Sequence, residues 1–98
     1  MSDELREKLS NEVGDAHWAD LRLHHEKGAL LRVDGQLDLI EAGIALAGDD
    51  VARVTAWMAA DQLQRPTPEE AEHWAKGDRP LRFLIVQPWV LVQEKPLH

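Results

Sequence analysis

The chain has 98 residues and a formal net charge of −7, with 44% hydrophobic and 30% charged residues. This length and composition predict a single globular domain over residues 1–98 and exclude an intrinsically disordered chain. The absence of cysteine excludes disulfides, thiolate metal sites and cysteine nucleophiles, and it fits a reducing compartment.

Neither a membrane helix nor a secretory leader is predicted. No stretch approaches the ~18 consecutive apolar residues that a membrane helix needs. The N-terminal segment MSDELREKLSNE is charged and lacks an apolar centre, unlike a signal peptide. We therefore expect a cytoplasmic protein.

Two helices are predicted before the first strand, over about residues 3–13 and 16–27. Ser2 or Asp3 is expected to cap the first helix and Asp15 the second, because short polar side chains accept hydrogen bonds from the free amides of a helix start. The next segment, Ala29–Val33, is short and apolar and predicts a strand.

Two further helices are predicted in the middle of the chain. Asp38 is expected to cap one that runs to about Ala47, and its Gly43 would allow a close approach by a neighbouring backbone. Asp49 or Asp50 is expected to cap the next. That helix carries an apolar stripe at helical spacing, formed by Val51, Val54, Trp57 and Met58.

The last third begins with a strong helix-start signal. Thr67 and Glu70 form a capping box with Pro68 at the first helical position, and this helix is expected to end at Gly77. The segment Phe83–Gln93 is nearly all apolar. Pro88 predicts either a bent edge strand or two short strands, and Gln87-Pro88 disfavours a tight hairpin because it is poor two-residue turn chemistry.

The order of these elements predicts an α+β fold, with four to five helices packed on a two- to three-stranded sheet. The stretch from Leu37 to Pro66 resembles a winged helix. In that comparison Leu39–Ala47 is the support helix, Val51–Gln62 is the recognition helix, and Leu63-Gln64-Arg65 enters the wing. The winged-helix-like core would span about residues 16–94, preceded by the N-terminal helix.

Over most of its length the chain resembles a known family. The segments LRVDGQLDLIEAGIALAGDD, VTAWMAADQL and FLIVQPWVLVQE look like an uncharacterised bacterial family, domain of unknown function 2288. The resemblance extends from about Leu5 to Glu94. It implies no activity and supplies no catalytic residues.

A DNA-binding transcriptional regulator is an alternative that the predicted helix pair raises. Reading bases requires Arg, Lys, Asn or Gln on the exposed face of the recognition helix. Arg53, Thr55 and Gln62 are available there, but Asp49, Asp50 and Asp61 surround them. Nucleic-acid binding is therefore not expected, because affinity for phosphates depends largely on Lys and Arg.

A small metal-binding protein or enzyme is the third alternative. Asp34, Asp38 and Glu41 could together hold a hard cation or act in acid–base chemistry. The simpler interpretation is structural: Asp38 caps a helix, Asp34-Gly35 forms a turn, and Glu41 pairs with Arg32. Asp20 with His17 or His24 could contribute a pair of ligands, although ordinary surface histidines are favoured. Without a catalytic motif we expect no enzyme, no cofactor and no resident metal.

The leading prediction is a protein–protein interaction or adaptor module, or a homodimer. The segment Phe83–Gln93 is apolar on both faces, so either it is buried inside the sheet or it forms an exposed edge that would pair with another chain. The candidate partner surface consists of Phe83, Ile85, Trp89, Val90, Val92 and Trp74.

Overall fold

The computed structural model describes residues 2–77 and 80–95, with side chains from residue 4 onward. Within this part of the chain, five helices and five strands follow one another. In chain order they are α1 (Ser2–Glu12), β1 (Gly14–Ala16), α2 (Trp18–Glu26), β2 (Leu30–Val33), α3 (Leu39–Ala47), α4 (Val51–Ala59), β3 (Leu63–Gln64), α5 (Pro68–Gly77), β4 (Leu81–Val86) and β5 (Trp89–Glu94).

The strands form one mixed sheet in the order β1-β4-β5-β2-β3. β5 pairs with β4 on one side, antiparallel, and with β2 on the other, parallel. The edges of the sheet are its shortest strands, three residues in β1 and two in β3. Short edge strands offer few free backbone groups to another chain.

Helices cover the sheet on both faces, and each face has its own hydrophobic cluster. Successive side chains of a strand point to opposite faces, so Leu91 packs in one cluster and Val92 in the other. The first cluster joins α1 and α3 to the sheet through Leu9, Leu39, Ala42, Leu84 and Leu91. The second joins α2 and α5 to it through Trp18, Leu21, Trp74, Leu81 and Val92. The α+β class predicted from the sequence is confirmed.

Most of the predicted helix starts are confirmed. The Asp38 carboxylate accepts a hydrogen bond from the Ile40 amide at 2.9 Å, and Asp50 accepts one from the Arg53 amide at 3.2 Å. Thr67 Oγ1 accepts from the Glu70 amide, and the Glu70 carboxylate accepts from the Thr67 amide, each at 3.1 Å. These local signals succeed because a cap depends only on residues a few positions away.

The predicted start of the second helix was wrong. Asp15 lies inside β1, which pairs with Leu81–Phe83 of β4. The helix begins at Trp18, after His17, whose amide donates to the Asp20 carboxylate at 3.2 Å. Asp15 therefore pairs with β4, a strand far along the chain, instead of capping the helix. The expected cap at Ser2 or Asp3 lies outside the described side chains.

The prediction of a two- to three-stranded sheet was wrong, because the sheet has five strands. The Phe83–Gln93 segment supplies two of them. They are joined by a tight hairpin at Gln87–Pro88, whose peptide bond is cis. Turns with cis proline at the third position are an established type, so the expectation against a tight hairpin was also wrong. β5 is not an exposed edge, because it is flanked by β4 and β2, and β1 pairs with β4 at Leu81–Phe83.

The helix pair of the predicted winged-helix core is present as α3 and α4, but its surroundings differ from that prediction. The adjoining sheet contains a parallel pair, β2 with β5, and helices lie on both of its faces. Gly43 of α3 sits at a close contact, where a Cβ would meet Leu84 Cδ2 at 2.7 Å, but the neighbour is a side chain and not the backbone that was expected. The winged-helix resemblance itself remains unconfirmed.

We predict that two neighbouring apolar residues of the hairpin differ sharply in their contribution to stability. Leu91→Ala should lower the free energy of unfolding by about 2–5 kcal/mol, because Leu91 is 0% exposed in the first cluster. Ile85→Ala should cost about 1 kcal/mol or less, because Ile85 is 46% exposed. Urea unfolding followed by tryptophan fluorescence measures both values. Similar losses for the two variants would contradict this arrangement of the sheet.

Candidate interaction surface

Helix α4 differs from the other helices on the sheet in that no residue of it is fully buried. Val54 and Trp57 lie on its inner side and pack partly against the first cluster. Val51 and Met58, seven residues apart and therefore on one face of the helix, are 66% and 41% exposed. The apolar stripe thus rests on the core along one margin and is open to solvent along the other.

A groove of about 150 Å³ adjoins this open margin. It separates α4 from the end of α3 and from Trp89 at the start of β5. Its lining is mainly apolar and consists of Ala45, Leu46, Asp49, Asp50, Val51, Val54, Thr55 and Trp89. We call the groove together with Met58 the α4 surface.

One ion pair and the partial packing of Val54 and Trp57, rather than deep burial, hold α4 against the body of the protein. The Arg53 guanidinium donates to Glu41 Oε2 at 2.8 Å and lies over the Trp57 ring, 4.8 Å from its centroid. The other oxygen of Glu41 accepts from Arg6 of α1. Glu41 of α3 therefore joins three helices. The hydrogen bonds from Arg53 and Arg6 lower the pKa of the Glu41 carboxyl below its ordinary value of 4.5.

Acidic residues stand at both ends of α4. Asp49 and Asp50 precede the helix, and Asp49 is exposed with a left-handed backbone, φ 56°. Asp61 follows the helix with its side chain 73% exposed, although it also pairs with Arg32 at 3.0 Å. The positive charge of Arg53 is already engaged by Glu41. The negative charge beside the apolar surface is therefore carried mainly by Asp49 and Asp50, because Asp61 is paired with Arg32.

The six residues of the predicted partner surface differ in how exposed they are. Val90, Val92 and Trp74 are enclosed in the second cluster, and the Trp74 indole donates to Glu94 Oε1 at 2.7 Å. Phe83 and Trp89 are half-buried, and Ile85 is exposed. Only part of that predicted surface is therefore accessible on the folded chain.

The three carboxylates of the predicted cation site have separate structural roles. Asp38 caps α3, and Asp34 Oδ2 accepts from the Gln36 amide at 3.1 Å in the turn after β2. Glu41 pairs with Arg6 and Arg53, so its expected pairing with Arg32 was wrong. Arg32 instead contacts Glu70 and Asp61. Within residues 2–77 and 80–95, no three His, Asp or Glu side chains are grouped for a metal ion.

The spacing of the α4 stripe predicted one apolar stripe, and it did not indicate that two of its four residues would be exposed. Val54 and Trp57 pack against the first cluster, whereas Val51 and Met58 are exposed. The helical spacing alone does not separate the two pairs, because all four residues belong to one stripe.

Comparisons with known proteins find a matching family and a similar solved structure. A family model described as "Protein of unknown function (DUF2288)" matches residues 4–94. The solution NMR structure of PA1075 from Pseudomonas aeruginosa is similar, with 38% sequence identity and a TM-score of 0.82. That match covers 97% of this chain and 92% of the other. None of the curated proteins matches the sequence.

Among the helices in the described part of the chain, none combines the length and the apolar run needed for a membrane crossing.

We predict that Glu41 contributes to the acid sensitivity of the fold. Because its pKa is lowered in the folded state, its stabilising effect is present above the unfolded pKa and is lost as the pH falls through the folded pKa. Glu41→Gln should therefore destabilise the protein more at about pH 7 than at about pH 3. Urea unfolding at the two pH values measures this difference.

The control for this measurement is Glu7→Gln, which removes an exposed carboxylate from α1. It should leave the acid dependence of unfolding close to that of the original chain. An equal loss at both pH values for Glu41→Gln would show that the carboxylate charge does not hold α4 in place.

Proposed function

We propose a function for this chain, which belongs to the family of proteins of unknown function DUF2288: it is a protein-interaction module whose α4 surface binds a segment of another protein. One observation carries the proposal. Val51 and Met58 expose large apolar side chains beside an apolar groove, on a helix that the fold leaves without a fully buried residue.

Val51 and Met58 keep apolar surface that a partner could bury. Fully burying a valine or methionine contributes about 1.5–3 kcal/mol relative to leaving it exposed. The folded monomer gains only part of this from Val51 and Met58. A partner that covered both residues and entered the groove beside Trp89 would gain the rest, and tryptophan is a frequent anchor of protein interfaces.

The charge around the α4 surface defines the chemistry of the partner. Asp49 and Asp50 lie at the groove and Asp61 at the far end of the helix. We therefore infer an apolar segment that carries lysine or arginine beside its apolar residues. Opposite charges at the rim favour encounter and select the orientation of the bound segment.

A second copy of the chain fits this surface less well. Each copy carries a net charge of −7, and an interface across α4 would bring the acidic ends of two helices together. Like charges at an interface are unfavourable. The proposal is accordingly a heterologous partner, and a homodimer is an alternative result of the experiments that test it.

No observation on α4 favours the alternative of DNA binding. Arg53, the one basic side chain of the helix, is held by Glu41 and stacked on Trp57. Phosphate contacts would have to form between the acidic ends of α4. The chain is proposed to act as one domain in the cytoplasm, in keeping with its lack of cysteine and its acidic charge.

We predict that peptides selected on the folded protein will reveal this chemistry. Selection from a random displayed-peptide library should enrich sequences with apolar residues next to Lys or Arg. Val51→Lys and Met58→Lys should each abolish binding of the enriched peptides, because they place positive charge where a basic segment docks. Fluorescence anisotropy with synthetic peptides measures the affinities.

Leu23→Lys is the matched control, because Leu23 is a 62% exposed apolar residue on α2, away from the α4 surface. It should leave peptide binding unchanged. Thermal unfolding should confirm that all three variants remain folded, since exposed substitutions usually change stability by about 0.5 kcal/mol or less. Enriched peptides that bind the Val51→Lys and Met58→Lys variants normally would overturn the proposal.

The oligomeric state provides an independent prediction. Light scattering after size exclusion should give the monomer mass at every concentration, because the acidic rims of two copies repel each other. A dimer that Met58→Lys dissociates would replace the heterologous partner with a second copy. A dimer that Ile85→Lys dissociates would instead place the interface on the sheet face near the hairpin.

A further inference from the structure

A larger cleft, of about 450 Å³, lies at the other end of β5 from Trp89. It opens where the parallel strands β2 and β5 finish, and Asp34, Gly35 and Lys95 form part of its lining. The crevice beyond the carboxyl ends of parallel strands is a recurrent ligand site in open α/β sheets. The volume also falls within the ~300–1,000 Å³ that is usual for small-molecule sites.

Two of the three cations that line the cleft already have carboxylate partners. Arg32 Nε lies 2.8 Å from Glu70 Oε2, an ion pair that does not align as a hydrogen bond, and Arg32 also binds Asp61. Lys95 Nζ lies 3.2 Å from Asp15 Oδ1. These charges are compensated within the chain.

Arg82, the third cation, is different. Its side chain is half-buried, and Nε is shielded from solvent without a hydrogen-bond partner among the described residues. Leaving such a charged donor unsatisfied costs more free energy than leaving a neutral one. A carboxylate or phosphate is the group that best pairs with the guanidinium where it borders the cleft, because the planar guanidinium donates parallel hydrogen bonds to such oxyanions.

Part of the Arg82 side chain borders the cleft, although its Nε is covered. Gln93 faces it across the hairpin and is only 5% exposed. The Gln93 amide donates to the carbonyl oxygens of Asp34 at 2.9 Å and Leu37 at 2.7 Å, and so holds the loop between β2 and α3 over the end of the sheet. A second cleft of about 360 Å³ shares Gly35, Arg82 and Gln93 with the first. Arg82 thus borders open space on two sides of a fixed loop.

The nearby start of α3 is not the centre of this site. Asp38 lines the second cleft, and its carboxylate already accepts from the Ile40 amide. A second anion at that helix terminus would meet a negative charge. The guanidinium of Arg82 is therefore the anchoring group.

We propose that this cleft binds a small oxyanion-bearing molecule, a carboxylate or a phosphate monoester, with Arg82 as the residue that holds the oxyanion. The carboxylate of Asp34 also lines the cleft, so the ligand carries hydroxyl or amino donors as well. The lining holds as many acidic as basic residues, so it offers no net positive charge to a polyanion such as nucleic acid.

The test is a titration of the isotopically labelled chain followed by two-dimensional NMR. Inorganic phosphate, phosphoserine and serine are added separately, with sodium chloride at matched ionic strength as the reference. Saturable shifts should appear at the Gly35 and Gln36 amides and at the Arg82 Nε–H. Phosphoserine should bind more tightly than phosphate, because it adds an amino donor. If serine binds more tightly than phosphate and phosphoserine, the carboxylate is the group that Arg82 holds.

Variants of Arg82 test whether this side chain holds the oxyanion. Arg82→Gln should weaken binding about tenfold or more, because it removes the charged donors. Arg65→Gln, which removes an exposed arginine elsewhere, should not. Should Arg82→Gln fail to fold, Arg82→Lys keeps the charge but not the paired donors and should still weaken binding. Shifts no larger than those in sodium chloride, or shifts that persist in the folded Arg82 variants, would overturn the proposal.

Discussion

Strand β5 is buried on both of its faces and paired along both of its edges, and the other elements are arranged around that requirement. Leu91 and Val92 are each 0% exposed, yet they point in opposite directions. A strand of this kind needs two neighbouring strands and a helical layer on each side. β4 and β2 provide the neighbours, and the helices divide into α1 with α3 on one face and α2 with α5 on the other.

Helix α4 is not one of these four helices. It joins α3 to β3, rests on the first cluster through the half-buried Val54 and Trp57, and has one ion pair to α3, between Arg53 and Glu41. Exposed ion pairs stabilise proteins by only about 0–1 kcal/mol. α4 is therefore held less firmly than the helices packed flat on the sheet, and segments with few buried contacts are the ones that open most readily. A helix with spare apolar surface and a weak attachment is suited to binding a partner.

The two proposed sites lie at opposite ends of β5 and differ in chemistry. The α4 surface at Trp89 is apolar with acidic residues beside it, which fits a basic, amphipathic segment. The cleft near Lys95 is polar, and its distinguishing group is a single cation, Arg82, that no carboxylate of the described chain neutralises. Because the sites share no residue, each can be tested without disturbing the other. The similarity to the Pseudomonas aeruginosa protein extends over both regions, since it covers 97% of this chain.

The sequence by itself determined the local features. The caps at Asp38 and Asp50, the capping box of Thr67 and Glu70, and the α+β class arise from hydrogen bonds and periodicities that span a few residues. Only the tertiary structure decided the position of Phe83–Gln93 at the centre of the sheet and the conversion of Asp15 from a helix cap into part of a strand. Among the described residues, it also decided which cation of the cleft has no carboxylate partner. Each of these outcomes depends on pairing between residues far apart in the chain, and no local pattern encodes which distant strand or carboxylate will be the partner.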